Sequence, residues 1–318
     1  MGAKRIRHIS VFTPKNMFWG FLGLVFISVL VWFGKSPSIP IASKPQILAV
    51  VPTAFAQVSI FARAAYVLDG KTGKELWSLN GNAQLPLASL TKIMMAVTAL
   101  SLIPENTVIT INPTFLQTEG DSGLYGNEGW RLKDLLDLTL LESSNDGANA
   151  IAAVAGALGK DDVSEKVGRE RFISAMNKKA GELGLKQTYF LNPTGLDESE
   201  NVSGAYGSAS DMATLFSYAI HSYPTLFEAT RHEFREFTSL NSLKHKVKNS
   251  NIFVGNFPAL IGSKTGYTDL AGGNLVLAFD AGPDHPIIVS ILGSTERGRF
   301  EDAEKLVWAT LSSLASSP

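Results

Sequence analysis

The sequence predicts an α+β fold: one antiparallel sheet built from both ends of a globular part, a mostly helical middle, and a membrane-spanning helix ahead of them. Three observations predict it. Strand-like segments fall near both ends of the globular part, at residues 63–79 and 273–293, while the stretch between them reads mainly as helix. Of the 318 residues 45% are hydrophobic and only 18% charged, which supplies a sizeable core and excludes an intrinsically disordered chain or a highly charged nucleic-acid binder. The charges are also segregated along the chain.

Of the 28 Lys and Arg, six (Lys4, Arg5, Arg7, Lys15, Lys35 and Lys44) precede Gln57, and the first acidic residue is Asp69. The formal charge of −1 is therefore +6 on a basic, apolar leader and −7 on the remainder, where 22 basic residues face 29 acidic ones. Residues 17–34 are 18 residues without a charge, close to the roughly 20 that span a bilayer as a helix. Four basic residues ahead of the run place the N-terminus (residues 1–16) in the cytoplasm and the rest outside. Trp19 and Trp32 sit near its ends, and the missing polar face argues against a buried core helix. Ala54-Phe55-Ala56 has the form of a signal-peptide cleavage site but lies far beyond the apolar run. The expectation is a retained anchor at 17–34, with a cleaved secretion signal as the alternative. Residues 35–57, with Pro37, Pro40, Pro45 and Pro52, read as an extended linker to a domain over 58–318.

Within that domain, residues 63–69 and 75–79 read as strands joined by the turn Gly70-Lys71-Thr72-Gly73. A helix is predicted over 89–102 and a short strand over 107–111. Helices follow at 132–141, 147–158, 171–183 and 210–220. Strands at 273–279 and 286–293 are joined by a turn around Gly282-Pro283-Asp284, and an amphipathic helix over 301–314 closes the domain. There is no cysteine, so disulfides, zinc–thiolate sites, iron–sulfur clusters and thiol nucleophiles are excluded, while the redox compartment stays open.

Candidate chemistry starts at Ser89-Leu90-Thr91-Lys92. A Ser at a helix start is ordinarily an N-cap. Lys92 is harder to account for, being the only charge between Glu75 and Glu105 in a helix that is otherwise mostly apolar. Such a helix is buried, and a buried lysine must be paired or lose its proton. At i+3 it shares a face with Ser89, which makes a base–nucleophile pair, with the helix N-terminus available to an oxyanion. A second element is Ser143-Ser144-Asn145, where alternate residues of an extended turn offer a hydroxyl and an amide on one side; the plainer reading is a loop or an N-cap. A third is Lys264-Thr265-Gly266, a lysine and a hydroxyl suited to a carboxylate, with a glycine that admits close backbone approach; the plainer reading is a turn before the strand at 273–279. The same triplet at Lys71-Thr72-Gly73 sits in a hairpin turn.

Other schemes fit poorly. His8, His221, His232, His245 and His285 lie in none of these motifs and read as surface residues, and neither a Gly-x-Ser-x-Gly elbow nor a His-Glu-x-x-His exists. The Gly-rich stretch 119–129 carries Glu119, Asp121 and Glu128, which repel phosphate; it reads as a rim of the cleft.

Ser-x-x-Lys, Ser-x-Asn and Lys-Thr-Gly in this order are together the signature of penicillin-recognising serine enzymes. The sequence resembles the low-molecular-mass penicillin-binding proteins of the D-alanyl-D-alanine carboxypeptidase family. The likeness extends to Ala64–Asp69 with Gly73-Lys74-Glu75-Leu76, to Pro86–Lys92, to residues 135–146, to residues 172–180, to Leu191–Asp197, to Ser210-Asp211-Met212-Ala213 and to residues 264–272. The resemblance covers about residues 60–316. It implies a β-lactamase/transpeptidase-like fold and a serine DD-carboxypeptidase acting on peptidoglycan stem peptides, with β-lactams as covalent inhibitors. It implies no metal or organic cofactor and no nucleic-acid partner. It further implies that Ser89 attacks the penultimate D-Ala carbonyl, that Lys92 takes the serine proton, and that Ser143 relays a proton to the leaving amine with Lys264. Asn145 would hold the substrate amide, Lys264 and Thr265 the terminal carboxylate, and the N–H groups of Ser89 and Tyr267 the oxyanion. Which lysine is the base stays open.

Three alternatives accompany this reading: a DD-endopeptidase on the same scaffold, a class A-like β-lactamase, and a non-catalytic peptidoglycan-binding protein. The second requires a carboxylate base, and no Glu-x-x-Leu-Asn lies between Asn145 and Lys264. Many relatives add a C-terminal β domain and an amphipathic anchor; this chain stops soon after its last expected helix, so the N-terminal helix is expected to serve as the tether.

Overall fold

Side-chain alternation along three strands near the chain ends decides the architecture. The computed structural model describes residues 53–117, 119–120, 123–157 and 164–316; the expected anchor at 17–34, residues 1–16 and the linker up to 52 lie outside them. The elements in order are β1 (Ala64–Asp69), β2 (Glu75–Leu79), β3 (Leu85–Pro86), α1 (Thr91–Leu102), β4 (Val108–Thr110), β5 (Gly129–Arg131), α2 (Leu132–Glu142), α3 (Asn145–Ala157), α4 (Glu165–Glu182), β6 (Tyr189–Phe190), β7 (Ala205–Gly207), α5 (Ala209–Ser222), β8 (Phe234–Thr238), β9 (Lys244–Lys248), β10 (Leu260–Thr268), β11 (Gly272–Asp280), β12 (Pro286–Ser294) and α6 (Gly298–Ala315).

Five strands form one antiparallel sheet in the order β10-β11-β12-β1-β2, so the ends of the domain meet in its middle, with Val67 opposite Val289 and Leu277 opposite Val289 on the other side. The period of two sends Ala64, Leu68, Val276, Ala278, Ile288 and Leu292 into the core shared with the helical middle. The intervening Ala65, Val67, Leu275, Leu277, Ile287, Val289 and Ile291 pack with Phe300, Ala303, Leu306 and Val307 of α6. Both faces are covered, which is why these strands read as continuous apolar runs. Asp302, fully buried on α6, accepts the N–H groups of Phe61 and Ala62 (2.9 Å each) and the Ser294 hydroxyl (2.6 Å), fastening the entry to β1.

The predicted α+β class and the sheet made of chain ends are found. α1 is the central helix: every residue from Thr91 to Ala99 is buried. Several expectations are corrected. Lys264-Thr265-Gly266 is no turn but the middle of the nine-residue strand β10, which glycine and polar residues had disguised. The hairpin β8–β9 has no counterpart among the predicted elements, because β8 buries only Phe237 and β9 alternates exposed lysines with His245 and Val247. The helix expected at 171–183 starts at Glu165, with the Ser164 hydroxyl accepting the Val167 N–H at 3.4 Å. Of the histidines expected at the surface, His245 is buried, held against the Glu128 carboxylate and beside the Trp130 ring at 5.1 Å.

Candidate active site

A polar stretch of β10 runs beside the start of α1, and that contact builds the site. Leu87 is tied to β7 by its N–H on the Ala205 carbonyl (3.0 Å), and Asn274 of β11 donates to the Pro86 carbonyl (3.0 Å). Ala88 then takes a left-handed φ of +47°, a conformation costly for an alanine, which turns Ser89 outward in a 3-10 turn just before α1. The residue that precedes α1 is Leu90, not Ser89, and no side chain caps the helix there, so the N-cap reading of Ser89 falls. A Cβ on Gly266 would lie 3.0 Å from the Leu87 carbonyl and 3.1 Å from the Ser89 nitrogen; glycine is what lets β10 pass this close.

Lys92 reaches back along the helix to Ser89, Nζ to Oγ 2.9 Å. It is fully buried, and its other partners are the Asn145 Oδ1 (2.7 Å) and the Thr194 carbonyl (2.9 Å). None of the three is a carboxylate, so nothing offsets burial, which pushes the Lys92 ammonium down to about 7. The two fixed acceptors, Asn145 and Thr194, absorb two N–H bonds. The third position faces a hydroxyl that can accept from an ammonium or donate to a neutral amine, so a proton can pass without moving heavy atoms.

Ser143 and Asn145 do face one cleft, but not through an extended turn. α2 ends at Glu142, Ser143 is left-handed (φ 76°, ψ 34°), and α3 begins at Asn145, with the Ser144 hydroxyl accepting the Gly147 N–H at 2.9 Å as the cap. The sharp corner sends Ser143 Oγ to Lys264 Nζ (2.9 Å) and Asn145 to Lys92. The Asn145 amide also donates to the Glu119 carbonyl at 2.7 Å, which puts the start of the Gly-rich stretch at the cleft rim. A pocket of about 420 Å³ opens there, lined by Glu119, Leu196, Asp197, Tyr267, Thr268 and Leu270. Tyr267 itself is half exposed.

Lys264, also fully buried, donates to Ser143 and to the Thr265 carbonyl (2.8 Å). Burial first, then the Lys92 and Arg299 charges, hold its ammonium well below the ordinary lysine range. All the residues expected at the site therefore converge: Ser89, Lys92, Ser143, Asn145, Lys264, Thr265, Gly266 and Tyr267.

Three contributors escaped sequence reasoning. Thr194 acts through its main chain: Asn192 Oδ1 accepts the N–H groups of Thr194 (3.2 Å) and Gly195 (2.7 Å), aiming the Thr194 carbonyl at Lys92. Arg299, buried on α6, donates to the Gly266 carbonyl at 2.8 Å and lies 6.0 Å from the Tyr267 ring centroid. Its only sequence signal is a basic residue in the first turn of a helix, where acidic residues are favoured. Ser250 accepts the Thr265 hydroxyl at 2.7 Å and had no signal at all.

A serine between a helix and a sheet edge, with two buried lysines and an amide around it, fits a serine peptidase of the penicillin-recognising class. The chain belongs to the D-alanyl-D-alanine carboxypeptidase family (peptidase family S11), whose model matches residues 51–295. It is 30% identical over 291 residues to the D-alanyl-D-alanine carboxypeptidase DacF of Bacillus subtilis, covering 86% of this chain and 70% of that protein. It is 32% identical to DacC of Escherichia coli (80% of this chain, 64% of that protein), and 29% identical to a D-alanyl-D-alanine endopeptidase of Pseudomonas aeruginosa (87% and 85%). A D-alanyl-D-alanine carboxypeptidase structure from Mycobacterium tuberculosis superposes with a TM-score of 0.70 at 27% identity, covering 85% of this chain and 97% of that one. The Streptomyces K15 DD-transpeptidase shares the fold, with a TM-score of 0.72 at 23% identity, over 80% and 98%.

Proposed function

We propose that this chain removes the terminal D-Ala from peptidoglycan stem peptides through an acyl-enzyme on Ser89. The observation that carries the mechanism is the 2.9 Å contact between Ser89 Oγ and a buried Lys92 that has no carboxylate partner. Neutral Lys92 takes the hydroxyl proton as Ser89 Oγ bonds to the penultimate D-Ala carbonyl carbon. The carbon–nitrogen bond to the last D-Ala then breaks, and its amine takes the Ser143 proton, replaced from Lys264. Water then adds its oxygen to the acyl carbon as the bond from that carbon to Ser89 Oγ breaks; Lys92 returns its proton to Ser89, and the water proton passes by Ser143 to Lys264, which frees the shortened peptide and restores the site. Asn145, with a second amide N–H to spare, holds the substrate amide, and the N–H groups of Ser89 and Tyr267 hold the oxyanion.

The terminal carboxylate lies against Thr265 and Lys264, with Arg299 as a cation that stays charged despite burial. Its arrival favours the protonated form of Lys264. Lys92 meets a main-chain carbonyl where a β-lactamase of class A type needs a carboxylate, which speaks against that alternative. Residues 17–34 anchor the chain in the cell membrane and a linker follows them, shorter than the expected 35–57 because Phe55 is buried and stacks on Trp77 (6.1 Å between centroids) as part of the domain; the domain works on the extracytoplasmic side, and retention of the chain in membranes after alkaline extraction tests the anchor against a cleaved signal.

Titration with a fluorescent penicillin tests the nucleophile. A covalent adduct that is lost in Ser89→Ala is expected; no adduct with the native protein removes the mechanism. A second reading, cleavage of peptide cross-links, is favoured by the even mutual coverage with the endopeptidase-named relative. Digestion of pentapeptide and cross-linked dimer separates the two: D-Ala alone marks the carboxypeptidase.

A further inference from the structure

We propose that the outer face of the β8–β9 hairpin docks a phosphodiester-linked anionic polymer of the cell wall beside the catalytic cleft; the choice of a wall polymer rests on the peptidoglycan reading above. Phe234, Glu236 and Thr238 stand opposite Lys248, Lys246 and Lys244, so the six share one face of the hairpin. That face is exposed. Lys246 and Lys248 lie over the Phe234 ring, 5.4 and 5.9 Å from its centroid, and among the described residues neither forms an ion pair. Lys244 meets Glu236 at 3.0 Å with both side chains largely in solvent.

Charge is concentrated here against the trend of the domain. Residues 231–248 hold five basic side chains (Arg231, Arg235, Lys244, Lys246, Lys248) and two acidic ones (Glu233, Glu236). The rest of 58–318 is left with 17 basic residues against 27 acidic. A polyanion is repelled by most of the domain and attracted to this strip. Alternate residues of a strand repeat every 6.5–7 Å or so, and lysine meets phosphate as a point charge, so β9 presents a row of separate phosphate contacts.

The strip is packed against the domain and leads to the cleft. Beneath it Phe237, His245 and Val247 are buried, and its tip is fastened to Gly129, whose carbonyl accepts the Leu240 N–H (2.8 Å) and whose N–H donates to Asn241 (2.7 Å). Two residues after Lys248, Ser250 touches Thr265. A linear polymer attached to the same glycan as the stem peptide can therefore lie along β9 while the peptide enters the site.

The test is cosedimentation of the purified full chain with cell-wall sacculi, either intact or stripped of phosphodiester polymers by hydrofluoric acid, and with phosphatidylglycerol vesicles. Intact sacculi are expected to bind about tenfold more tightly than stripped ones, with the difference lost at high salt and in the Lys244→Gln/Lys246→Gln/Lys248→Gln variant. Acylation of that variant by fluorescent penicillin should match the native protein, which shows that it is folded and keeps failure of the strip separate from failure of the active-site reading. Equal binding to intact and stripped sacculi, unchanged binding by the variant, or lysine-dependent binding to vesicles alone overturns the proposal.

Discussion

Thr265 donates its hydroxyl to Ser250 at 2.7 Å, and Ser250 passes its own to the Leu141 carbonyl at 3.1 Å. Leu141 also accepts the Ser250 N–H at 2.9 Å, so its carbonyl stays satisfied if the Ser250 hydroxyl turns away. When a carboxylate reaches Thr265, Ser250 can swing its proton to Thr265 and release the Thr265 proton to the substrate. Loss of this partner, at about 1 kcal/mol for one neutral hydrogen bond, should lower kcat/KM of Ser250→Ala roughly fivefold, and Ser250→Thr should restore it. Steady-state kinetics on a D-Ala-D-Ala peptide checks this; an unchanged kcat/KM in Ser250→Ala removes the relay.

Acylation should follow the neutral form of Lys92. With its ammonium pushed down to about 7, the rate of penicillin acylation is expected to rise through that pH and level off above it. A rate that falls across the same range would assign the proton to another group.

The same burial fixes a stability effect. An ordinary lysine titrates near 10.5, so between about 7 and 10.5 the unfolded chain binds the extra proton and the folded domain gains stability as pH rises. Below about 7 both states are charged and the full cost of burying Lys92 stands. Lys92→Met, which cannot acylate, should therefore melt higher than the native protein at pH 6, by calorimetry or circular dichroism, and the gap should narrow towards pH 10. A lower melting point at pH 6 would contradict the assignment.

Gly195 has φ +82°, and a Cβ there would meet the Ala88 carbonyl at 1.9 Å and the Thr91 hydroxyl at 2.6 Å. Gly195→Ala must push the 192–197 loop away from the nucleophile turn and draw the Thr194 carbonyl off Lys92. We expect at least about a tenfold loss of acylation and a cost of about 1–3 kcal/mol in urea unfolding. Native acylation by this variant would show that the loop contact is dispensable.

Asp302 is a test of the fold alone. Its carboxylate holds two N–H groups and a hydroxyl in a fully buried position, so Asp302→Ala should cost about 3 kcal/mol or more, read as a shifted urea midpoint. A midpoint near the native one would mean the 61–62 segment finds other partners.

What was legible in the sequence follows from local chemistry. The apolar runs of β11 and β12 and the all-round apolar character of α1 declared themselves, because both faces of those strands and every side of that helix are buried. Lys92 was visible as a charge with nowhere to go. β10 was hidden because its polar residues serve the cleft rather than the core, and β8–β9 because most of each strand faces solvent. Arg299 left only a basic residue in a helix's first turn as a signal and Ser250 left none, since each acts on a residue 33 or 15 positions away in the chain.

The sequence by itself determined the α+β class, the three motifs and their chain order, since these depend on periodicity and on residue types close together. Only the tertiary structure decided that Ser143 and Asn145 face one cleft from a helix corner rather than an extended turn. It also decided that Thr194 offers a main-chain carbonyl and that Lys92 loses its proton affinity to burial rather than to a neighbouring charge. Left-handed backbone at Ala88 and Ser143, and the dryness around a lysine, are set by what packs from distant parts of the chain, and no local pattern encodes them.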